Sequence, residues 1–155
     1  MSFTPVANGT RGAKPPGGRF MKWVNQWMMK RISRTGKMPG IGFDALVLTT
    51  IGHKSGLERK TPVGWFPGKD GSWVIVASAA GSAKNPDWYY NLAVNSDRVQ
   101  IEMAGRKVAV TAEQLEGAER QEAWSKIAAA SSQFRGYEAK TDRVMPVIRL
   151  TPRPS

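Results

Sequence analysis

A succession of short apolar segments separated by turn-forming residues constrains the fold of this chain more than any other feature. Ala45 to Thr50 has the character of a strand buried on both faces. Asp70-Gly71 and Ala104-Gly105 mark turns between later strands, and Pro62 places its own strand at a sheet edge or a bulge. The predicted strands are 45–50, 59–66, 73–78, 99–103, 107–111 and 145–150.

Helices are predicted before and between these strands. Asn85 and Pro86 indicate a helix start, with Asn85 as N-cap and Pro86 at the first helical position. The predicted helices are 20–34, 86–94, 116–130 and 135–143. Short strands with inserted helices predict a small barrel of α+β class. No Gly-x-Gly-x-x-Gly follows a strand, which argues against a dinucleotide-binding fold of parallel strands.

The composition excludes several kinds of catalytic site. The chain has no cysteine, so disulfides, thiolate nucleophiles and iron–sulfur clusters are excluded. His53 is the single histidine, which excludes multi-histidine metal sites, and no metal site is predicted. If the chain is an enzyme, a bound organic cofactor is expected to carry the chemistry.

Charge divides the chain into regions. The formal net charge is +11, and residues 1–40 hold eight basic residues and no acidic one. We predict a flexible basic leader over residues 1–19, a single domain over 20–150 that begins with the amphipathic helix 20–34, and a tail over 151–155.

The amphipathic helix allows two interpretations. It either docks on the core of its own domain or lies on a membrane, with tryptophan among the headgroups and cations toward anionic lipid. Nucleic acid is not an expected partner, because the aromatic residues lie opposite most of the cations. No apolar run reaches the roughly 20 residues that span a bilayer. The expectation is a cytoplasmic protein, with peripheral contact to the inner face of the cell membrane left open.

Two segments have the composition of binding loops. Residues 49–63 combine two glycines with His53, Lys54, Ser55, Arg59 and Lys60, which suits an anion pocket; the alternative is a hairpin with a solvated basic tip. Residues 76–91 place small residues between a strand and a helix start, which suits a flat ring beside the backbone. The alternative is a loop kept small for packing, with Trp88 and Tyr89 as core anchors.

Taken together, four spaced motifs resemble a known family. They are Leu-Thr-Thr-x-Gly-His-Lys-Ser-Gly-x-x-Arg, Val-Ala-Ser, Gly-x-x-Lys-Asn-Pro-x-Trp-Tyr-x-Asn-Leu and Thr-Asp-Arg-x-x-Pro-Val. In this order they resemble the deazaflavin-dependent nitroreductases of actinobacteria, from about Phe20 to Leu150. The resemblance implies a split β-barrel, like that of the flavin-binding pyridoxamine-phosphate oxidases, that binds coenzyme F420. It also implies hydride transfer to an apolar, electron-poor acceptor: a quinone, an activated enone or a nitroaromatic.

Alternatives to this reading remain. FMN is the weaker cofactor candidate, and a non-catalytic deazaflavin carrier is the alternative function. A basic nucleic-acid-binding module is a more remote one.

The resemblance also assigns roles to residues. Phosphate and tail contacts fall on His53, Lys54, Ser55 and Arg59. Strand contacts fall on Lys60, Thr61, Pro62, Val63 and Gly64. Ring-side contacts fall on Val76, Ala77, Ser78, Ala79, Asp87, Trp88, Tyr89 and Asn91.

This chain departs from the family pattern at several positions. The family usually has arginine where His53 stands, and some members have an apolar residue at Asp87. Ser78 and Tyr137 are the candidates to hydrogen-bond the acceptor. Ser131 and Phe134 stand where relatives carry tyrosines, so the resemblance favours quinones and enones over bicyclic nitroimidazoles, with Phe134 as an apolar wall.

Overall fold

The computed structural model describes residues 3, 5–12, 19–37, 44–78, 81 and 83–153. Within these residues the chain forms seven β-strands and four α-helices. The strands are β1 Ala45–Ile51, β2 Glu58–Gly64, β3 Phe66–Pro67, β4 Trp73–Val76, β5 Val99–Met103, β6 Arg106–Gln114 and β7 Val147–Pro152. The helices are α1 Arg19–Thr35, α2 Asp87–Val94, α3 Gly117–Ala130 and α4 Ser132–Lys140.

The strands form one antiparallel sheet in the order β2-β1-β5-β6-β7-β4-β3. The sheet curls into a half-barrel, because β2 and β3 lie at opposite edges yet follow each other in the chain. Trp65 between them donates from its backbone N–H to the carbonyl of Asp44 (2.9 Å). The predicted α+β split barrel is confirmed, and Pro62 lies in the edge strand β2 as predicted.

The sheet separates two large apolar clusters, and the alternation of β4 shows how. Trp73, Ile75 and Ala77 face the inner cluster, which also contains Tyr89 of α2. Val74 and Val76 face the second cluster, where α3 and α4 pack on the sheet. Because strand side chains alternate between faces, this short strand contributes to both cores.

Helix α1 docks on the outer face of β1. Ile32 is fully buried against Ala45 and Val47, with Met28 and Met29 partly buried beside it. Trp27 is half exposed, and the Arg31 guanidinium lies 5.9 Å from its ring centroid. Phe20, Trp23 and Val24 belong to the apolar face of the amphipathic helix predicted over 20–34, and their side chains lie outside the described residues. None of the helices among the described residues has the length and apolar character needed to cross a bilayer.

Residues 5–12, which we call the N-terminal strap, lie along α2 and the segment before β7. The predicted leader over 1–19 thus has a docked portion. The strap's Val6 N–H donates to the Tyr89 hydroxyl (2.8 Å) and its Gly9 N–H to the Ala83 carbonyl (2.7 Å). Thr10 binds the Asp142 carboxylate through both its hydroxyl and its N–H. The strap therefore belongs to the folded body.

Candidate functional site

A cavity of about 430 Å³ opens between the β1–β2 turn, strand β2 and the start of α2. It brings together the two segments that the sequence marked separately. Helix α2 is held beside β1 because the Asn91 amide donates to the Thr50 hydroxyl (3.1 Å) and the Asn95 amide to the Ile51 carbonyl (3.4 Å). The cavity is lined by Gly52, His53, Lys54, Ser55, Arg59, Lys60, Thr61, Asp87, Trp88 and Asn91.

The turn at residues 52–57 needs its two glycines for different reasons. The Gly52 N–H donates to the Leu57 carbonyl (2.8 Å), and the Gly56 N–H donates to the Gly52 carbonyl (2.9 Å). A Cβ at Gly52 would lie 2.5 Å from the Ser55 hydroxyl, so Ser55 would have to turn away and give up its hydrogen bond from the Leu57 N–H. Gly56 has a φ of +72°, the left-handed region that favours glycine. The resulting tight turn leaves the side chains of residues 53–55 exposed.

The cavity is basic and its cations are available to a ligand. The side chains of Lys54, Arg59 and Lys60 are exposed, and none of them forms an ion pair within the described part of the chain. Asp87 is the one acidic residue in the lining. It opens α2, where the helix dipole favours negative charge. The arrangement suits a multiply charged anion better than a neutral ligand.

Some predicted contact residues lie elsewhere. Tyr89 is fully buried in the inner core, where its hydroxyl accepts from Val6 and donates to Gln114, and burial raises its pKa. The Ala77 and Val76 side chains lie in the inner and second clusters respectively. Further predicted residues do not line the cavity: Pro62, Val63 and Gly64 of β2, and Ser78 after β4. Ala79 lies outside the described residues.

The end of β4 is held by an arginine that the sequence interpretation had not placed in the site. The guanidinium of Arg143 donates to the carbonyls of Ala77 (2.8 Å) and Ser78 (2.7 Å) and to the Asn85 side-chain oxygen (2.7 Å). Asn85 is therefore not the N-cap of α2: the helix begins at Asp87 with Pro86 as N-cap. Arg143 belongs to the motif Thr-Asp-Arg-x-x-Pro-Val, one of the four motifs on which the resemblance rests. That motif is the feature of the sequence that could have identified this arginine.

Trp65 is a second residue that the sequence interpretation missed. It follows β2 directly and packs on the inner cluster together with Val63. Its indole Nε1–H is buried and has no hydrogen-bond partner among the described residues. Burying an unpaired donor is costly, so this N–H is open to an acceptor from outside the described residues.

Tyr137 of α4 lies beside the loop that follows β4. A Cβ on Gly81 would meet the Tyr137 carbonyl oxygen at 3.1 Å, so the two backbones are in close contact. The Tyr137 hydroxyl pairs with the Gln133 amide (2.5 Å).

Ser131 and Phe134, which the resemblance matched to tyrosines of the family, have structural roles. Ser131 caps α4 by accepting from the N–H of Phe134, and Phe134 is buried against Phe66 and Tyr137. Phe134 is thus part of the second core, not the open wall inferred from its position.

A second cavity of about 330 Å³ lies between β3, β4 and α3. Its walls are mostly apolar, and Phe66, Leu115 and Ile127 are among them. None of the residues that the sequence assigned to the site lines this second cavity. The basic cavity at the β1–β2 turn is therefore the candidate site.

Comparison with known proteins shows which family this chain is similar to. Residues 21–152 match the family described as F420H(2)-dependent quinone reductase. A putative F420H(2)-dependent quinone reductase of Mycobacterium tuberculosis is 33% identical over 118 residues, covering 74% of this chain and 98% of that protein. Another F420H(2)-dependent quinone reductase of that species is 32% identical over 112 residues, covering 70% and 74%. The solved structure of an F420-H2 dependent reductase (FDR-A) is similar, with a TM-score of 0.60 and 34% identity, covering 68% of this chain and 92% of that chain.

Proposed function

Because this chain belongs to the F420H(2)-dependent quinone reductase family, it is an F420H2-dependent oxidoreductase, and we propose that its basic cavity holds the phosphorylated tail of coenzyme F420. The observation that carries this proposal is the exposed cluster of Lys54, Arg59 and Lys60, which have no ion-pair partner among the described residues. The ring would then lie farther along the inner side of β2, toward Trp65 and the end of β4.

The residues present fit such a cofactor at both of its ends. Hydroxyl, imidazole and cationic donors at residues 53–55 match phosphate and carboxylate oxygens. The buried Trp88 also lines this cavity, and Trp65 has an indole N–H without a partner among the described residues. A cofactor with a polyanionic tail and a flat heteroaromatic ring that carries carbonyl oxygens would suit both groups of residues.

The reaction needs a hydride donor, an acceptor and one proton. When bound, reduced deazaflavin supplies the hydride, and a quinone that takes this hydride and one proton becomes a hydroquinone. The protein binds and orients the two partners and supplies hydrogen bonds to the acceptor oxygens. Ser78 and Tyr137 are the proposed donors: Ser78 directly follows the ring-side strand segment, and Tyr137 contacts the loop after it.

The decisive experiment titrates the purified protein with oxidised F420 and, separately, with FMN, and follows fluorescence. We expect saturable F420 binding that weakens as salt rises, and weaker FMN binding. Single-turnover oxidation of reduced F420 by menadione should then follow protein concentration. Tight FMN binding together with absent F420 binding would overturn the proposal, and F420 binding without menadione reduction would favour a carrier. Reduction of enones and nitroaromatics stays a prediction for the same assay.

We also propose that α1 contacts anionic lipid at the membrane surface. Its Ile32 side is occupied by β1, whereas Trp27 is half exposed and neighbours the exposed Lys30 and Arg31. An aromatic ring flanked by cations is typical of an interfacial helix.

Point variants suit the test of this contact better than deletion, because removing α1 would strip its packing from β1. Trp27→Ser with Lys30→Gln and Arg31→Gln should lose co-sedimentation with phosphatidylglycerol vesicles and keep F420 affinity. Unchanged co-sedimentation would contradict the proposal. The matched control is Lys126→Gln, an exposed cation on α3, which packs on the β4 side of the sheet.

A further inference from the structure

Arg143 is a buried cation that does not take part in the proposed contacts to the cofactor tail. It is only 4% exposed, and burial lowers the pKa of its guanidinium. All three hydrogen bonds described above are 2.7–2.8 Å long and end on oxygens of one loop, residues 77–85. A planar guanidinium can serve several acceptors at once with little loss of rotamer freedom, which a lysine ammonium cannot reproduce.

The loop that Arg143 holds joins the two parts of the proposed site. Its first residues, Ala77 and Ser78, leave β4, and its last residue, Asn85, precedes α2, which carries Asp87 and Trp88 into the basic cavity. Because both carbonyls point toward Arg143, the hydrogen bonds fix the orientation of the peptide planes that follow Ala77 and Ser78. Without the guanidinium the buried Ala77 carbonyl would lose this hydrogen bond, and the Ser78 carbonyl would keep the one from the Gly81 N–H (2.9 Å). The ends of the loop would then rearrange to regain the lost hydrogen bonds.

Asn85, Thr141 and Arg143 also connect this loop to the N-terminal strap. The Asn85 amide donates to the Val6 carbonyl (3.0 Å) while its oxygen accepts from Arg143. The Thr141 hydroxyl donates to the Arg11 carbonyl (2.7 Å). A Cβ on Gly9 would lie 2.8 Å from the Arg143 backbone nitrogen, so the strap passes in close contact with this segment.

We propose that Arg143 is a positioning residue that sets the two ends of the ring-side loop, Ala77–Ser78 and Asn85, in their cofactor-binding conformation, with the N-terminal strap bracing Asn85. This inference rests on the proposed function, because it takes the end of β4 as the ring side. It assigns Arg143 no contact with the phosphate tail. A residue that shapes the ring side acts equally on a deazaflavin with and without its phosphate.

The test compares two probes: oxidised F420 and the deazaflavin that carries a ribityl chain but no phosphate. Arg143→Gln should raise the Kd of both by the same factor, at least tenfold, and should lower kcat for menadione. Lys54→Ala should raise the Kd of F420 alone. Arg120→Gln is the matched control: Arg120 is also partly buried and donates to a backbone carbonyl, that of Met145 (2.9 Å), so its loss should lower Tm without changing either Kd.

Each outcome separates the inference from the function on which it rests. If Lys54→Ala weakens F420 binding but Arg143→Gln binds both probes like wild type, the positioning role is overturned and the proposed function stands. An effect of Arg143→Gln on the phosphorylated probe alone also overturns it. If neither the wild type nor any variant binds F420, the proposed function fails. Should Arg143→Gln not fold, Arg143→Lys decides: we expect a smaller but equal Kd increase for both probes, and wild-type affinity would overturn the inference.

Discussion

Asn91 accepts two hydrogen bonds from His53 on one oxygen: its Oδ1 lies 2.9 Å from the His53 backbone nitrogen and 2.7 Å from the ring Nδ1. The backbone N–H can only donate, so it determines which end of the Asn91 amide is the oxygen. An amide oxygen can only accept, so the ring proton must lie on Nδ1. This places the remaining nitrogen, Nε2, away from Asn91, as the atom of His53 that can meet a ligand.

Removing this acceptor should affect both stability and cofactor binding. Asn91→Ala loses three hydrogen bonds of a buried amide, and we expect a free energy of unfolding lower by roughly 2–4 kcal/mol. The Kd for F420 should rise several-fold, because the His53 ring is no longer held. Val94→Ala, at an exposed position of the same helix, is the control and should leave the Kd unchanged. Denaturant unfolding and fluorescence titration measure the two effects, and an unchanged Kd in Asn91→Ala would contradict the role given to His53.

The exposed cations of the basic cavity should dominate affinity for the cofactor tail. Lys54→Ala and Arg59→Ala are each expected to weaken F420 binding by roughly 1.5–3 kcal/mol, about 10–150-fold in Kd, as for hydrogen bonds to charged groups. The loss should shrink at high salt because the site is open to solvent. Lys107→Ala, on the hairpin away from the cavity, should have no effect. Wild-type affinity in both cavity variants would remove the phosphate assignment.

Asp87 should oppose the same tail. It is the acid of the basic cavity, so Asp87→Asn is expected to tighten F420 binding by about 2–5-fold at low salt, the magnitude of one exposed charge–charge contact. The deazaflavin without phosphate supplies the internal control, since its Kd should not change. Weaker F420 binding in Asp87→Asn would show instead that the carboxylate contacts the cofactor directly.

The close approach of Gly81 to α4 should matter beyond its backbone conformation. Gly81 has a φ of +80°, and a Cβ there would contact the Tyr137 carbonyl and Cα at 3.1 and 3.3 Å. Gly105 has a φ of +77° with open space around it, so Gly105→Ala isolates the conformational cost, about 1–2 kcal/mol. Gly81→Ala should cost more than this and reduce menadione turnover through displacement of Tyr137. Equal stability and turnover in the two variants would contradict this contact.

Acid should release the N-terminal strap. Hydrogen bonds from the Thr10 side chain, then from the N–H groups of Arg11 and Thr10, lower the pKa of Asp142 from 3.8 to about 2. Because the folded pKa lies below the unfolded value, the stabilisation is complete well above pH 3.8 and is lost as pH falls toward 2. Asp142→Asn lacks the charged carboxylate at every pH. It should therefore show faster hydrogen exchange at residues 9–11 than wild type already at neutral pH. Exchange equal to wild type in this variant would refute the role of the carboxylate.

Local chemistry was enough to identify most elements and the basic turn. Alternating or continuous apolar runs determine strands and helices through short-range geometry, so β5 was predicted at its observed bounds and the end of α2 at its observed residue. Pro62 marked the edge strand because proline lacks the amide that an interior strand needs. The cations from Lys54 to Lys60 lie within one hairpin, where nearness in sequence is nearness in space.

Only the tertiary structure decided which side chain each polar group meets. Asn85 had the sequence of an N-cap, but the buried guanidinium of Arg143, 58 residues away, takes its oxygen. Tyr89 and Phe134 looked like site aromatics, but burial of their large apolar area in the two cores places them inside. The strap docks because it meets residues far away in the chain, among them Asp142 at Thr10 and Tyr89 at Val6. Hydrogen bonds and apolar contacts between distant residues depend on how the sheet curls, which no local pattern encodes.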